Sequence, residues 1–449
     1  MFKKFTNGCV SIVQRYLPDP FLFAVLLTFI VLILGVVTTA QTPLAMVLHW
    51  STGFWKLLAF SMQMSLVLVT GHTLANAPAF KRGLKKLASI CHTPSQAILA
   101  VTFVGTIASW INWGFGLVIG ALYARELAKQ VKGVDYRLLI ASAYSGFLVW
   151  HSGISGSIPL KVASGGEGLA AATNGALTEA VPTATTIFAP FNLIIFGIIL
   201  FTMPFVNRAM HPDHGDVVAV DPALLVEEHH EPMKREDMTP ADRLENSIVV
   251  SMLVGLMGLT YIIYYFATKG FSLNLNIVNF IFLFVGILLH GTPRNFLDAV
   301  TNAIKGTAGI VIQFPFYAGI MGMMTGVSPD GVSLAGQISH MFVSISTPTT
   351  YPMFTFLSAG IVNFFVPSGG GQWAVQAPIM MPAGVELGVP AAKTAMAIAW
   401  GDAWTNMVQP FWALPALGIA GLGARDIMGF CVVDLLYSGV IIIIGLMFL

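Results

Sequence analysis

The ten residues from Asn363 to Gln372, with the sequence NFFVPSGGGQ, interrupt a long apolar stretch. Pro367 lacks a backbone donor and clashes with a helix interior, and the three glycines after Ser368 leave the backbone free and bare. Within a bilayer, open backbone is tolerated only where protein or a water-filled cavity satisfies its polar groups. A broken segment rich in Gly, Asn, Ser and Gln at membrane depth therefore indicates the binding site of a transporter.

The composition of the whole chain is also that of a membrane protein. Of 449 residues, 56% are hydrophobic and only 10% are charged, whereas charged residues make up about 25% of soluble domains. This composition predicts an all-α polytopic membrane protein. The net charge of +1 gives no support for a nucleic-acid partner. The three cysteines form no CxxC motif, so neither a disulfide framework nor a bound metal is predicted.

The spans are predicted from apolar runs, because a crossing of about 30 Å needs roughly 20 residues. Two stretches, 95–131 and 351–387, have the length of a helical hairpin with a Gly-rich tip. Two further crossings, near 137–160 and 389–422, are interrupted by polar residues and are predicted to be broken helices. The uninterrupted spans are predicted at 20–40, 56–76, 183–206, 246–268, 273–291, 308–327 and 427–449.

The two halves of the chain resemble each other. TFVGTIASWINWGFG, from Thr102 to Gly116, aligns with TFLSAGIVNFFVPSGGG in the second half, and each leads to one of the broken helices. The predicted architecture is therefore the inverted repeat of a secondary transporter, with two re-entrant hairpins and two broken helices. The first repeat covers 1–206, a polar linker covers 207–245, and 246–449 holds an extra span followed by the second repeat.

The basic residues predict the orientation of the chain. Lys3, Lys4 and Arg15 precede the first span, and a second basic cluster, 81–86, follows the second span. The N-terminus and the linker are therefore predicted to be cytoplasmic, and nine crossings plus two re-entrant hairpins put the C-terminus in the periplasm. Two full crossings at the first hairpin would give the same charge pattern. The linker histidines, which fit solvated loop positions better than a metal site, are His211, His214, His229 and His230.

The polar residues at the four breaks are the candidate substrate ligands. Half-helix N-termini present free N–H groups that suit a carboxylate, whereas side-chain amides and half-helix C-termini offer oxygens to a small cation. The alternative is that the small residues only allow close helix packing. The candidates are Ser109, Asn112, Gly114 and Gly116 at the first tip; Ser152, Gly153 and Ser155 in the first broken helix; Asn363, Ser368, Gly369, Gly370, Gly371 and Gln372 at the second tip; and Thr405 and Asn406 in the second broken helix.

Two ionisable residues lie among the breaks and are the candidates for ion coupling. Asp402 is an acid within a span, which is expensive and usually faces a partner or a pathway. It is a proton carrier, a cation ligand or a structural cap. His151 either carries a proton, since its ordinary pKa lies near physiological pH, or makes a single hydrogen bond at the interface. Lys161 either attracts an anion or extends to the outer surface.

The sequence gives no support for an enzyme or a cofactor. It contains no GxSxG, HExxH, CxxC or P-loop motif. Asp402 and His151 are the only acid and base identified at the breaks, and they lie in different halves of the chain.

Three segments closely resemble the bacterial short-chain fatty acid transporter family, and the similarity runs through essentially the whole chain. They are LLAFSMQMSLVLVTGHTLANAP, VPSGGGQWAVQAPIMMPA and GDAWTNMVQPFWALPALG. That family is associated with uptake of acetoacetate and butyrate and is placed in the ion transporter superfamily, whose dicarboxylate members are dimers with an elevator-like mechanism. The resemblance implies a homodimer in the bacterial inner membrane, with the substrate site at the tips and unwound segments.

One departure from the superfamily concerns the coupling ion. The sodium-coupled dicarboxylate relatives carry a Ser-Asn-Thr motif at both hairpin tips, whereas this chain has only Ser109 with Asn112 and Asn363 with Ser368. The predicted function is therefore symport of a short-chain monocarboxylate with a proton. Lys161 is the single fixed cation near the breaks, which favours a monoanion. The alternatives are a sodium-coupled carrier of another small organic anion, such as a dicarboxylate, and an anion channel.

Overall fold

A computed structural model describes residues 2–213, 215–222, 238–270 and 275–449, and every regular element within these ranges is a helix. The predicted all-α class is confirmed. His214, His229 and His230 of the linker lie outside the described residues. His211 lies beside the start of α8 (Tyr136–Ser145), where its Nε2 accepts the N–H of Asp135 at 3.2 Å.

The described residues of the N-terminal half form eleven α-helices, several of which begin at a proline. Proline suits the first helical position because its missing N–H would have no partner there. Asp19, Thr42 and Thr93 precede three such prolines and cap the helices with their side chains. The helices are α1 (Phe2–Tyr16), α2 (Pro20–Thr39), α3 (Pro43–Gly53), α4 (Leu58–Asn76), α5 (Pro78–Ala88), α6 (Pro94–Ile111), α7 (Trp113–Gln130), α8 (Tyr136–Ser145), α9 (Ser157–Ser164), α10 (Gly166–Ala172) and α11 (Pro190–Ala209).

The C-terminal half begins with a short helix at the end of the linker and continues with a similar order of elements. In both halves a hairpin of two helices is followed by a broken helix and a final long span. The helices are α12 (Pro240–Glu245), α13 (Ile248–Lys269), α14 (Leu275–His290), α15 (Pro293–Ala303), α16 (Ala308–Thr325), α17 (Leu334–Ser344), α18 (Tyr351–Phe365), α19 (Gly369–Glu386), α20 (Ala391–Thr405), α21 (Pro410–Ala420) and α22 (Ala424–Phe448).

Seven segments of the described residues are long and apolar enough to cross a membrane, which confirms the polytopic class. The span predicted at 183–206 starts later, at Pro190, because 183–185 forms a separate 3-10 turn. The re-entrant path of the hairpins stays a prediction. The seven segments are Pro20–Thr39, Pro94–Ile111, Tyr136–Ser164, Pro190–Ala209, Ile248–Lys269, Ala308–Thr325 and Ala424–Phe448.

Four helix breaks divide the hairpins and the broken helices. The hairpins bend at Asn112 and at 366–368, and the broken helices bend at 153–156 and 406–409. Polar residues at three of these breaks start the next helix, because their side chains satisfy backbone donors that have no partner within it. Asn112 Oδ1 accepts from Phe115 N at 2.9 Å, Ser368 Oγ from Gly371 N at 3.4 Å, and Gln409 Oε1 from Phe411 N at 2.6 Å.

Paired glycines let the hairpins and the broken helices approach closely in both halves. A Cβ added at Gly146 would overlap the backbone of Gly105 in α6, and one added at Gly401 would overlap the backbone of α18 beside Gly360. Close backbone approach at small residues is typical of helix packing in membranes. The two pairs have the same spacing, since 360 − 105 and 401 − 146 both equal 255.

These crossings predict the effect of adding one methyl group. We expect Gly146→Ala and Gly401→Ala each to lower the free energy of unfolding by about 1–3 kcal/mol, because backbone cannot move aside as a flexible side chain can. Thermal unfolding in detergent measures the change. Gly197→Ala in α11 is the control, since no other described group beyond its own stretch of helix lies within 4 Å of its added Cβ. Wild-type unfolding temperatures in both test variants would contradict the close crossing.

Candidate substrate site

The site centres on a buried acid and a buried histidine from the two broken helices. Asp402 lies in the last turn of α20, and His151 lies in the 3-10 segment Gly146–Ser152 that packs against α20. His151 Nδ1 and Asp402 Oδ1 are 3.2 Å apart, and both side chains are fully buried. The fold thus brings together the two ionisable residues that the sequence identifies, although they are 251 positions apart.

The hydrogen bonds around His151 assign its tautomer. The backbone N–H of Ile158, in the first turn of α9, donates to His151 Nε2 at 3.0 Å. That nitrogen therefore carries a lone pair, and the ring proton of the neutral imidazole lies on Nδ1, which donates it to Asp402. The ring also stacks on Trp150, with the ring centroids 4.0 Å apart. The His151 ring is therefore fixed by a hydrogen bond at each nitrogen and by stacking on one face.

Two amides hold the backbone of Asp402. The Nδ2 atoms of Asn363 and Asn406 each donate to the Asp402 carbonyl at 2.8 Å. Asn406 Oδ1 accepts the indole N–H of Trp150 at 3.1 Å, and the Asn406 carbonyl accepts the hydroxyl of Tyr144 at 2.7 Å. Asn406 therefore connects the broken helix of the second half to that of the first.

The Gly-rich start of α19 faces this pair. A Cβ added at Gly369 would lie 2.7 Å from His151 Cε1, and one added at Gly370 would lie 3.4 Å from Lys161 Nζ. The first-turn N–H groups of α19 are not used by the helix itself and carry the positive end of its dipole. A helix N-terminus, a lysine amine and the buried acid–histidine pair thus lie next to one another.

Three buried side-chain oxygens at the second tip and its neighbouring helix have no hydrogen-bond partner among the described residues. They are Asp402 Oδ2, Asn363 Oδ1 and Gln372 Oε1. Gln372 Nε2 donates to the carbonyl of Ala359 at 2.8 Å, one helical turn before Asn363 in α18. A buried acceptor without a partner costs about 1–3 kcal/mol. Asp402 Oδ2 is therefore suited to a bound proton or cation, and the two amide oxygens are suited to a cation.

At the first tip, in contrast, the side-chain oxygen of Asn112 is used locally. The oxygen of Asn112 caps α7, and the hydroxyl of Ser155 accepts the N–H of Trp113 at 3.0 Å. A Cβ at Gly116 would overlap Ser109, and a Cβ at Gly153 would overlap the carbonyl of Trp110.

The remaining candidates also have assigned positions. The Ser152 hydroxyl donates to the Val149 carbonyl at 2.8 Å, and Gly114 is buried within α7. The Thr405 hydroxyl donates to Gly360 O at 2.9 Å and accepts from Asn363 Nδ2 at 3.0 Å. A Cβ at Gly371 would meet Met321 of α16 at 3.0 Å. The second tip and the two broken helices therefore meet at Asp402, while the first tip packs beside them.

The buried acid Asp434 is not among the candidate residues that the sequence identifies. It lies in α22, which packs against α8 and α20. Asp434 is fully buried, and both of its carboxylate oxygens lack a hydrogen-bond partner within the described ranges. The available signal was an acidic residue inside a 25-residue apolar helix, a position that usually marks a functional group.

The contacts of Asn406 predict a stability effect. Asn406→Ala removes the acceptor of the Trp150 indole N–H and one of the two amides that hold Asp402. We expect the free energy of unfolding to fall by about 1–3 kcal/mol, the cost of leaving a buried donor unsatisfied. Thermal unfolding in detergent measures it. Asn302→Ala is the control, because the hydrogen bond that the described residues give its side chain is with the exposed Lys305. An equal effect of both substitutions would contradict the connecting role.

Seven span-length apolar segments and a buried polar site between broken helices define a membrane transporter as the class of protein. No cluster of three or more metal-ligating His, Cys, Asp or Glu side chains occurs in the described part of the chain.

Comparison with known proteins identifies the family. The sequence profile of the short chain fatty acid transporter family matches residues 1–449. A protein of Escherichia coli (strain K12) with the provisional name of a short-chain fatty acid transporter is 46% identical over 447 residues, 99% of each chain. One of the same provisional name from Haemophilus influenzae (strain ATCC 51907 / DSM 11121 / KW20 / Rd) is 44% identical over 455 residues, 100% of each chain. The chain belongs to the short-chain fatty acid transporter family.

Among solved structures, the chain is similar to the YdaH transporter of Alcanivorax borkumensis. The match covers 95% of this chain and 98% of that one, with a TM-score of 0.41 and 17% sequence identity.

Proposed function

We propose that this protein carries short-chain fatty acids such as acetoacetate and butyrate across the bacterial inner membrane as a proton symporter. The observation that carries the proposal is the buried pair of Asp402 and His151 beside the Gly-rich N-terminus of α19. Membership of the family and the names of the two bacterial relatives support a small carboxylate as the substrate.

The substrate carboxylate is proposed to lie at the start of α19, between the N–H groups of Gly369 and Gly370 and the Lys161 amine. A helix N-terminus suits an anion, and Lys161 Nζ is the nearest atom to a Cβ added at Gly370. One lysine balances one negative charge. A second carboxylate at this position would lack a compensating cation, so the geometry favours a monocarboxylate over a dicarboxylate.

The coupling proton is proposed to bind Asp402 Oδ2. That oxygen is buried without a partner in the described structure, whereas the Nε2 of His151 already accepts from Ile158. A proton on Asp402 would remove a buried negative charge, whose uncompensated burial costs several kcal/mol. His151 would then orient the acid through Nδ1, and it would take a second proton only if the Ile158 N–H moved away.

Sodium coupling is the second candidate, and a specific observation favours it. The unpartnered oxygens of Asp402, Asn363 and Gln372 are of the carboxylate and amide types that bind hard cations. In that case Asp402 would be a ligand of the ion rather than a proton carrier.

The wider architecture is part of the proposal. The first repeat is assigned to 1–206, and the second repeat follows the extra span within 246–449. The linker 207–245 and the N-terminus are assigned to the cytoplasm, and the C-terminus is assigned to the periplasm. The equal spacing of the two glycine pairs supports this division. An elevator-like movement of a homodimer would carry the site across the bilayer.

The proposal is tested by uptake of labelled butyrate and acetoacetate into proteoliposomes under separately imposed proton and sodium gradients. Saturable accumulation that follows the proton gradient and exchanges with internal substrate is expected. Accumulation that follows only sodium would select the second candidate. Uptake without saturation or exchange would instead favour an anion channel.

A further inference from the structure

A groove of about 460 Å³ lies on the outer face of the protein between α6 and α11, away from the substrate site. Its walls are mostly apolar, and two of its three aromatic side chains, Phe201 and Phe205, are 63% and 59% exposed. The lining includes Gln96, Leu99, Phe103, Leu200, Phe201 and Phe205.

The groove has two different ends. Phe103 and Phe201 contact each other at one end, with ring centroids 6.3 Å apart. The other end lies at the start of α6 and the end of α11, where Gln96 is the polar residue of the lining. From Gln96 to Phe103 the groove follows eight residues of α6, which is about 10 Å along the helix axis.

Exposed cations lie close in sequence to lining residues of the polar end. Arg208 follows Phe205 by three residues in α11, so the two side chains lie on the same face of the helix. Lys85 and Lys86 are exposed in the last turn of α5, and Ile90, which also lines the groove, lies two residues after this helix ends. An amphipathic basic helix of this kind suits the surface of a bilayer that contains anionic lipids.

We propose that the groove binds an anionic phospholipid, with an acyl chain between α6 and α11 and the phosphate at Lys85, Lys86 and Arg208. The apolar end matches a hydrocarbon chain, and the cationic end matches a phosphate. Near a membrane surface each such basic residue adds to the attraction of anionic lipid. A wholly apolar occupant, such as a helix of a second copy, would leave the cationic end without a counterpart.

Native mass spectrometry of the full chain, with phosphatidylglycerol and phosphatidylcholine added in equal amounts, tests the proposal. We expect the wild type to retain phosphatidylglycerol preferentially. Combined Lys85→Gln, Lys86→Gln and Arg208→Gln should reduce that retention at least tenfold and leave phosphatidylcholine unchanged. The control carries the same loss of charge at the exposed Lys56, Lys269 and Lys305 and should retain lipid as the wild type does.

A second variant tests the groove without changing charge. Ala100→Phe places a ring in the lining and should also displace the phosphatidylglycerol. Unchanged retention in both the charge variant and Ala100→Phe would overturn the proposal. The proposal would also be wrong if a free fatty acid displaced the phospholipid and bound equally well to the charge variant. It would be wrong as well if Ala100→Phe dissociated a dimer without loss of lipid.

Discussion

Asp402→Asn is expected to abolish proton-driven accumulation of butyrate while preserving exchange of external for internal substrate. The amide oxygen of Asn can still accept the Nδ1–H of His151, so the contact seen at 3.2 Å survives. What is lost is the oxygen that is proposed to bind the coupling proton. A gradient of one pH unit corresponds to about 1.4 kcal/mol, or about tenfold accumulation for one proton per substrate, and the variant should stop at equal concentrations on both sides.

Proteoliposomes with a fixed internal buffer and an imposed pH step measure both activities in one preparation. Asp330→Asn is the matched control, because it removes the same charge from an exposed loop residue and should accumulate substrate as the wild type does. If Asp402→Asn still accumulates butyrate tenfold, Asp402 is not the proton carrier. If exchange is lost as well, the acid has a structural role at the end of α20.

The positions of the helix breaks could be predicted because they depend on local chemistry. Pro367 and the glycines after it cannot continue α18, and the helix ends at Phe365. Likewise α20 ends at Thr405, within the predicted broken helix. These features follow from the backbone properties of a few residues, so one sequence is sufficient to find them.

The contacts within the site could not be predicted, because they join distant parts of the chain. Their positions within apolar segments mark His151 and Asp402 as unusual. The distance between them, however, depends on how the close packing at Gly146 and at Gly401 positions the two broken helices. The hydrogen bond from Ile158 N–H to His151 Nε2 could not be predicted from the sequence either. It limits the proton-binding role that the histidine alone suggests.

The same limit explains the first tip and Asp434. Asn112 is equally suited to capping a helix and to binding a substrate, and only the bond to Phe115 N–H shows that its oxygen caps α7. Asp434 does not interrupt α22 and has no polar sequence neighbours that suggest a site. A search for broken helices therefore passes over it.

Adjacent glycines at the start of α19 are expected to respond differently to substitution. Gly370→Val should reduce butyrate uptake about 100-fold without changing the unfolding temperature. The nearest atom to its added Cβ is the end of the flexible Lys161 side chain, at 3.4 Å, and this side chain can move aside for the new group. The branched side chain would fill the space that the substrate carboxylate is proposed to occupy beside the N-terminus of α19. The carboxylate would then lose its interaction with the helix N–H groups.

Gly369→Ala should instead destabilise the protein itself. Its Cβ would lie 2.7 Å from His151 Cε1, on a ring fixed by Asp402, Ile158 and Trp150. Overpacking of this kind costs about 1–3 kcal/mol, so uptake and unfolding temperature should fall together. Substrate-free thermal unfolding and initial uptake rates at matched expression separate the two responses. Wild-type uptake by Gly370→Val would place the substrate elsewhere, because a carboxylate between Gly370 and Lys161 leaves no room for that side chain.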